Sequence, residues 1–397
     1  MIASSVLAID GGKPARATRL PLHKPWFDER EQQAMLAALA DTHVAGDGAK
    51  GRELEALLRG STGAHAVLAL NSCTAALEIA VEVAGIGPGD EVILPSYTFV
   101  STANAVVKAG ARPVFADINP VTFGLDPEDV SRRMTSRTRA ILPMHYAGMA
   151  CDMDALGALA AAHGLIVLED AAHGVNAACP GGALGAVGAL GAVSFHETKD
   201  LVCGEGGALL VRDDEAYARA AEIIREKGTD RSAFLRGEVD KYTWVGAGSS
   251  YVLSELLAAV AVEQFRKLPE ITRRKTMQAE RLLAALAPYR EAVQLPEVPR
   301  GCRPNWHVFA VLVDPSRRDW VIRALKAEGI TAAFHYVPLH SAPYARQSGI
   351  DQVDLPVTDR VAASLVRLPI SPAFTAEECD DVINACRKVF AGMAARA

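Results

Sequence analysis

The sequence lacks the cysteine and histidine spacings that hold metal ions or support redox chemistry. Its seven cysteines include no C-x-x-C pair, and neither a G-x-x-x-x-G-K-[ST] loop nor an H-E-x-x-H helix occurs anywhere in it. These absences exclude zinc-ribbon, thioredoxin-like, P-loop and metalloprotease assignments. We therefore expect no metal site, and we expect the scattered cysteines to be the reduced thiols of a cytosolic protein.

Long hydrophobic runs and a strong charge of one sign are missing as well. No apolar stretch approaches the ~20 residues needed to cross a bilayer, and residues 1–5 have neither the basic flank nor the apolar core of a signal peptide. The 41 Lys and Arg residues against 47 Asp and Glu residues give a net charge of −6. We expect a cytoplasmic protein that binds neither a membrane nor a nucleic-acid polymer.

The sequence does contain enough apolar residues for a large folded core. Half of its 397 residues are hydrophobic and 22% are charged, a composition typical of globular proteins. Short apolar runs alternate with helical stretches, and this alternation predicts an α/β fold with βαβ units and a mostly parallel sheet. The predicted strands are 65–70, 90–95, 112–118, 139–145, 165–170, 192–196 and 207–211.

The pattern changes near residue 270, where a long helix with basic flanks is predicted. Two further strands, 307–313 and 331–337, then alternate with a helix over 319–329 and a last helix from about 376. We predict a large α/β domain over 1–270, which includes the N-terminal segment, and a smaller α+β domain over 271–397, both within the usual range of domain sizes.

A carboxylate and a lysine stand where ligands bind in such sheets. Asp170 ends the apolar strand LIVLED, at the edge where open α/β sheets present their ligand sites. Lys199 follows the strand at 192–196 and precedes a glycine cluster at 204–207. A partly desolvated lysine can become a Schiff-base nucleophile. Taken singly, Asp170 also fits a helix N-cap and Lys199 also fits a solvated surface charge.

Other polar and aromatic residues are predicted at the same edge. Ser72, Cys73 and Thr74 lie where a strand turns into a helix, and a helix N-terminus with hydroxyl groups suits a phosphate. Ser194 adds a hydroxyl from the strand before Lys199, and Tyr97 follows the second strand. The alternatives are an ordinary helix cap for the first three residues and a core aromatic for Tyr97.

Together these residues match the needs of one cofactor. Pyridoxal 5′-phosphate (PLP) requires a lysine for its aldehyde, a carboxylate for its pyridine nitrogen, a phosphate cradle and a flat group against its ring. The order of the residues along the chain supplies all four. We therefore expect PLP, or its amino form pyridoxamine phosphate (PMP), as the cofactor.

The motifs that carry these residues resemble those of the DegT/DnrJ/StrS family of nucleotide-sugar aminotransferases. They are NSCTAAL, PSYTFVSTANAV, EDAAHG, SFHETK, GEGGAL and SSYVLSELLAA. Segments 225–251 and 333–340 are similar to the dTDP-4-keto-6-deoxyglucose 4-transaminase branch. The resemblance implies a PLP-dependent aminotransferase of fold type I, with a mostly parallel central sheet and a smaller C-terminal α+β domain, that forms a homodimer with shared active sites.

The resemblance also implies roles for individual residues. Lys199 matches the Schiff-base lysine and Asp170 the partner of the pyridine nitrogen. Ser72, Cys73 through its backbone, Thr74 and Ser194 match positions around the phosphate, and Tyr97 matches the aromatic residue stacked on the ring. Because the related 3-dehydratases carry histidine at the lysine position, Lys199 favours transamination.

Two positions depart from the commoner family pattern. His173 replaces the glutamine that hydrogen-bonds the hydroxyl of the cofactor ring, and imidazole can donate the same bond. Ser250, within Gly248-Ser249-Ser250-Tyr251-Val252, replaces the asparagine that reaches the phosphate of the partner subunit. Its shorter side chain leaves open whether that contact is made.

The predicted substrate contacts lie in two segments. Residues 227–244 offer partners for a diphosphate, and residues 335–340 offer groups that could approach the sugar. These candidates are Lys227, Arg231, Arg236, Lys241, Tyr242, His335, Tyr336 and His340. The alternatives are a solvated charged loop for the first segment, in which acidic residues are interspersed, and core packing for Tyr336.

The predicted activity is a two-stage transamination. L-Glutamate would give its amino group to the cofactor, and the cofactor would pass it to C4 of a dTDP-4-keto-6-deoxyhexose, with Lys199 moving protons as general base and acid. Amination at C3 of a dTDP-3-keto-6-deoxyhexose is the alternative within enzymes. A PLP-binding regulator without turnover is the alternative outside them.

Overall fold

The computed structural model describes residues 6–350 and 353–394. The prediction that residues 1–5 are not part of a signal peptide concerns residues outside that range. The helices of the described chain are α1 Glu29–Ala40, α2 Ala49–Thr62, α3 Cys73–Val83, α4 Val100–Lys108, α5 Pro127–Arg133, α6 Met153–His163, α7 Glu215–Arg225, α8 Arg231–Leu235, α9 Glu255–Leu286, α10 Arg318–Ala327, α11 Pro343–Gln347, α12 Pro356–Ser364 and α13 Ala376–Ala394. Its strands are β1 Ala66–Leu70, β2 Glu91–Pro95, β3 Arg112–Ala116, β4 Thr138–Ile141, β5 Ile166–Asp170, β6 Ala178–Cys179, β7 Gly182–Ala183, β8 Leu190–Ser194, β9 Gly207–Val211, β10 Val293–Gln294, β11 Phe309–Val313 and β12 Leu365–Leu368.

The central sheet has the strand order β1-β9-β8-β5-β4-β2-β3. The pairs β2–β3, β2–β4, β4–β5 and β5–β8 are parallel, whereas β9 runs antiparallel to β1 and β8. Helices cover both faces, so the strands are mostly apolar, as expected for a parallel sheet, and charged residues such as Glu91 and Asp170 stand at strand ends. The mostly parallel α/β sheet predicted from the sequence is confirmed, and all seven predicted strands belong to it.

A smaller antiparallel sheet, β10-β11-β12, lies in the C-terminal part of the chain. Helices α10 and α13 pack on it around Phe309, Val311 and Phe390. The predicted strand at 331–337 is not formed, since only Ala333 makes a bridge, and its partner is Arg367 of β12. The missed strand β12 therefore takes the place beside β11.

Helix α9 connects the two regions and contains the predicted domain boundary at 270/271. Leu268 belongs to the core beneath the large sheet, and Ala279, three turns further on, belongs to the C-terminal core. The N-terminal segment was predicted with the large domain, but Leu7 and Leu20 pack into the C-terminal core. The C-terminal core is therefore built from residues near both ends of the chain. Among the described helices, none combines the length and apolarity needed to cross a membrane.

Candidate active site

The ends of β1, β5 and β8 open onto one cavity of about 940 Å³. This is the carboxyl edge of the parallel strands, where α/β sheets bind their ligands. The predicted site residues that line it are Ser72, Cys73, Thr74, Asp170, His173, Ser194, Lys199, His335 and Tyr336. Residues separated by more than 260 positions in the chain therefore meet around one space.

Lys199 lies in the loop between β8 and β9, which is anchored by a hydrogen bond from its backbone N–H to the carbonyl of His196 at 2.9 Å. Burial lowers the pKa of the Lys199 ammonium, and nearby groups that include Asp170 and Asp200 oppose that shift. A buried lysine with a lowered pKa reaches its neutral, nucleophilic form more readily than an exposed one. Lys199 can therefore form a Schiff base and carry protons.

Asp170 occupies the last position of β5 and is held by two hydrogen bonds. Its Oδ2 accepts from the Thr102 hydroxyl at 2.6 Å, and its Oδ1 accepts from the backbone N–H of Ala172 at 3.1 Å. The carboxylate is 3% exposed. These bonds orient a buried charge toward the cavity, where it can pair with a protonated ring nitrogen.

The turn between β1 and α3 forms an anion cradle. The Ser72 hydroxyl caps α3 by accepting from the N–H of Ala75 at 3.1 Å, and Thr74 Oγ1 contacts Ser101 Oγ at 2.8 Å. Strand β9 passes so close that a Cβ on Gly207 would lie 2.5 Å from the nitrogen of Cys73. Only glycine allows this approach. A helix N-terminus with flanking hydroxyls fits a phosphate group.

His173 presents a hydrogen-bond donor to the cavity. Its Nδ1 accepts from the backbone N–H of Ala147 at 3.2 Å, and its Nε2 lies 3.3 Å from the hydroxyl of Tyr336. Burial, followed by the charge of Lys199, lowers the pKa of His173 well below its usual value. The ring is therefore neutral, and with Nδ1 accepting, the proton lies on Nε2. This tautomer is the one that can donate to a ring hydroxyl.

Tyr97 requires a correction. Its side chain is fully buried and its ring packs 5.5 Å from Tyr146 and 5.7 Å from Tyr336, so it belongs to the core and does not line the cavity. Phe99, two residues further on and 54% exposed, lines the cavity instead. The residue Tyr97 follows β2 directly and turns inward, whereas Phe99 is the N-cap of α4. Phe99 therefore presents an aromatic face to the cavity where Tyr97 was expected to do so.

The C-terminal region supplies the opposite wall of the cavity. His335 Nδ1 contacts the Tyr146 hydroxyl at 2.7 Å, and the His335 ring stacks on Tyr336 with 3.8 Å between centroids. His340 lies outside the cavity, where its Nδ1 contacts Ser96 Oγ at 2.7 Å. Two of the three residues predicted in this segment are thus placed to face a substrate.

The remaining predicted residues also lie outside the cavity: Lys227, Arg231, Arg236, Lys241, Tyr242 and Ser250. Three of these cations are paired with acids of their own region, and Lys227 lies 3.4 Å from Glu226. Arg231 binds Glu226 at 3.0 Å, and Arg236 binds Glu222 at 2.8 Å and Glu238 at 2.9 Å. Within one chain, this segment is therefore the charged, solvated loop of the alternative interpretation, and its contact with substrate stays a prediction.

Several residues at the cavity were not predicted from the sequence, and four of them matter most for the site. Phe99, His307 and Arg367 line the cavity, and Thr102 holds Asp170. Phe99 and Thr102 lie in the motif PSYTFVSTAN, so the motif itself marked their neighbourhood. His307 and Arg367 come from the C-terminal region, and no local pattern identified them. Only the packing of β12 against β11 brings Arg367 to this site.

A lysine, a carboxylate and a phosphate cradle on one sheet edge define a PLP-dependent enzyme, and the comparisons agree. The chain is similar to the aminotransferase TlmJ from Streptoalloteichus hindustanus, with a TM-score of 0.87 and 31% identity over 94% of this chain and 100% of that one. It is also similar to S. venezuelae DesV, whose structure holds a ketimine intermediate, with a TM-score of 0.84 and 32% identity over 94% and 98%. The class is therefore a PLP-dependent sugar aminotransferase.

The family follows from the sequence of the whole chain. The model of the DegT/DnrJ/EryC1/StrS aminotransferase family matches residues 26–387. The spore coat polysaccharide biosynthesis protein SpsC of Bacillus subtilis is 35% identical over 382 residues, which are 94% of this chain and 97% of that protein. The chain belongs to the DegT/DnrJ/EryC1/StrS aminotransferase family, as the sequence motifs predicted.

Proposed function

We propose that this aminotransferase moves the amino group of L-glutamate to C4 of dTDP-4-keto-6-deoxy-D-glucose and so forms a dTDP-4-amino-4,6-dideoxyhexose. The observation that carries the proposal is the meeting of Lys199, Asp170 and His173 in one cavity whose other wall holds His335 and Tyr336. The similarity of segments 225–251 and 333–340 to the 4-transaminase branch supports the choice of sugar.

The residues of the cavity have separate tasks in this proposal. Bound PLP supplies an electron sink that lets a carbon next to nitrogen lose a proton. The Ser72–Thr74 turn and Ser194 would hold its phosphate, Asp170 would keep its ring nitrogen protonated, and His173 would donate to its ring hydroxyl. Phe99 would cover one face of the ring.

Lys199 performs the proton transfers. Its Nζ takes the proton from Cα of the amino donor in the first half of the reaction. In the second half, it delivers a proton to C4 of the sugar, which becomes the carbon that bears the new amino group. The lowered pKa of Lys199, caused first by burial, makes its neutral form available as the base.

We further propose a homodimer in the cytoplasm. The segment that follows α8 carries exposed apolar side chains, of which Trp244 is 79% exposed, Tyr242 47% and Val245 50%. Large exposed apolar groups indicate an interaction surface. A second copy that covered this segment would place the Ser250 region near a neighbouring cavity, where the family resemblance implies a contact with the phosphate of the partner subunit.

The test is the reaction itself. Purified protein loaded with PLP is incubated with L-glutamate and dTDP-4-keto-6-deoxyglucose, and NMR identifies the amino sugar. The proposal expects an amino group at C4. An amino group formed only from the 3-keto isomer would favour the C3 alternative, and a PLP absorbance band that glutamate does not bleach would favour a regulator.

A further inference from the structure

Arg367 is a cavity residue that the proposed proton transfers and cofactor contacts leave unused. It lies on β12, in register with Ala310 of β11, and its backbone N–H donates to the carbonyl of Ala333 at 2.8 Å. Its side-chain Nε donates to the carbonyl of Phe334 at 3.2 Å. The backbone of Arg367 is thus fixed in β12, and its Nε is fixed by the carbonyl of Phe334. The N–H groups of its two terminal nitrogens are available to a ligand.

Arg367 is the only arginine among the described residues that line the cavity. Burial lowers the pKa of four histidines that line the cavity, so these rings are neutral near pH 7: His23, His173, His307 and His335. Among the described carboxylates, none forms an ion pair with Arg367. Its charge is therefore a fixed positive charge in the cavity that no described acid neutralises, which indicates an anionic ligand.

The substrates of the proposed function bring three anionic groups into this cavity, namely the α- and γ-carboxylates of L-glutamate and the diphosphate of the nucleotide sugar. The γ-carboxylate is separated from Cα by two methylene groups. The α-carboxylate is bonded to the carbon from which Lys199 takes the proton, so its receptor must lie in the same part of the cavity as Lys199. The charge of Arg367 does act on Lys199, since after burial it contributes to the lowered pKa of that lysine. The diphosphate, in contrast, is attached to C1, across the sugar ring from C4.

We propose that Arg367 binds the α-carboxylate of the amino donor and thereby restricts the donor to amino acids. This inference rests on the proposed transamination with L-glutamate. The planar fork of a guanidinium matches a carboxylate with two parallel hydrogen bonds, which an ammonium cannot do. The same contact would orient Cα toward Lys199 and leave the side chain of the donor to other groups.

The two halves of the reaction provide the test, because the donor takes part only in the first. Stopped-flow absorbance follows the PLP form mixed with L-glutamate, and separately the PMP form mixed with the keto sugar. For Arg367→Ala we expect kcat/KM to fall on the order of 100-fold in the first half, as for the loss of charged hydrogen bonds. The second half should change less than about threefold.

Two comparisons keep the result independent of folding. Wild-type enzyme should prefer L-glutamate to 4-aminobutanoate, which lacks only the α-carboxylate, whereas Arg367→Ala should lose that preference. The ratio within one variant does not depend on the fraction of folded protein. Arg318→Ala is the matched control, because Arg318 stacks over the ring of Phe334 at 5.7 Å but does not line the cavity.

The contrary outcomes are distinct. A loss confined to the sugar half would assign Arg367 to the diphosphate, and a retained preference for glutamate over 4-aminobutanoate in Arg367→Ala would also overturn the inference. Wild-type enzyme that fails to react with glutamate would refute the proposed donor instead. The same pair of half-reactions with L-glutamine and L-aspartate would then decide the role of Arg367.

Discussion

Asp200, the residue that follows Lys199 in the chain, forms an ion pair with Lys275 in the interior. We expect disruption of this pair to lower the stability of the protein substantially. The two side chains are 2% and 0% exposed, and Lys275 Nζ donates to Asp200 Oδ1. Lys275 also donates to the carbonyl of His307 at 3.2 Å. The pair therefore joins the loop of the active-site lysine to α9 and to the start of β11.

The size of the effect follows from the burial. Replacement of Asp200 by Ala leaves the ammonium of Lys275 in the interior without its carboxylate, which costs about 3–5 kcal/mol. With an unfolding entropy of about 2.1 cal/mol/K per residue, a chain of 397 residues should lose roughly 5 °C in melting temperature. The variant Lys275→Met should lose a similar amount, since it leaves the carboxylate unpaired.

Thermal unfolding of the PLP-loaded protein measures this, with Asp200→Ala/Lys275→Met as the decisive variant. Because the double variant buries no unpaired charge, it should recover more than half of the lost melting temperature. Glu270→Ala is the control, since it breaks exposed pairs with Arg273 and Arg274 on the same helix. It should change the melting temperature by no more than about 1 °C. Additive losses in the double variant would refute the reasoning.

Acid gives a second measure of the same contact. Burial by itself would raise the pKa of Asp200, but Lys275 and then His307 outweigh it and hold the pKa well below its usual range. The stabilisation by this carboxylate is therefore complete above the ordinary aspartate pKa of about 4 and is lost as the pH falls through the folded value. Asp200→Ala should make the melting temperature less dependent on pH below about 4.

Three further predictions concern the site. Lys199→Ala should lower turnover by at least about 10²-fold, because proton transfer contributes about 10²–10⁴. The absorbance of PLP bound to the lysine should vanish, and turnover at the wild-type rate would refute the scheme. Asp170→Asn should slow both half-reactions by about 10–100-fold, the value of a charge-assisted hydrogen bond, and equal rates would exclude its contact with the ring nitrogen. His173→Gln should stay within about tenfold of wild type whereas His173→Phe should lose more, since only glutamine keeps a neutral donor; the reverse order would refute the assigned tautomer.

The sequence predicted the central sheet well because the strands of a parallel sheet are buried on both faces. Runs such as residues 165–168 and 207–211 are continuously apolar, so local composition is sufficient to identify them. The C-terminal sheet was harder. The segment 331–337 has the apolar and aromatic residues of a strand but makes only a single bridge. Strand β12, four residues long, directly follows the end of α12. Which of the two segments forms a strand depends on pairing with β11, and this tertiary contact is made by β12.

The candidate site was predictable to the extent that its residues lie in local motifs. Asp170 ends a strand and Lys199 follows one, so their place at the sheet edge could be deduced from the positions of the strands. The choice between Tyr97 and Phe99 could not, because it depends on which way the chain turns after β2. Arg367 was not found at all. Its strand carries no site motif, and its role arises only from contact between distant parts of the chain.

Residues from distant parts of the chain together set the pKa of Lys199. Burial lowers the pKa of Lys199, while Asp170 and Asp200 raise it. Asp170 is also the proposed partner of the cofactor nitrogen, and a carboxylate that pairs with that nitrogen stabilises the ammonium of Lys199 less. Asp200 likewise stabilises the ammonium of Lys199 less, because Asp200 forms an ion pair with Lys275. With both acids occupied and the surrounding histidines neutral, desolvation dominates, and Lys199 can lose its proton at a pH where an exposed lysine would keep it.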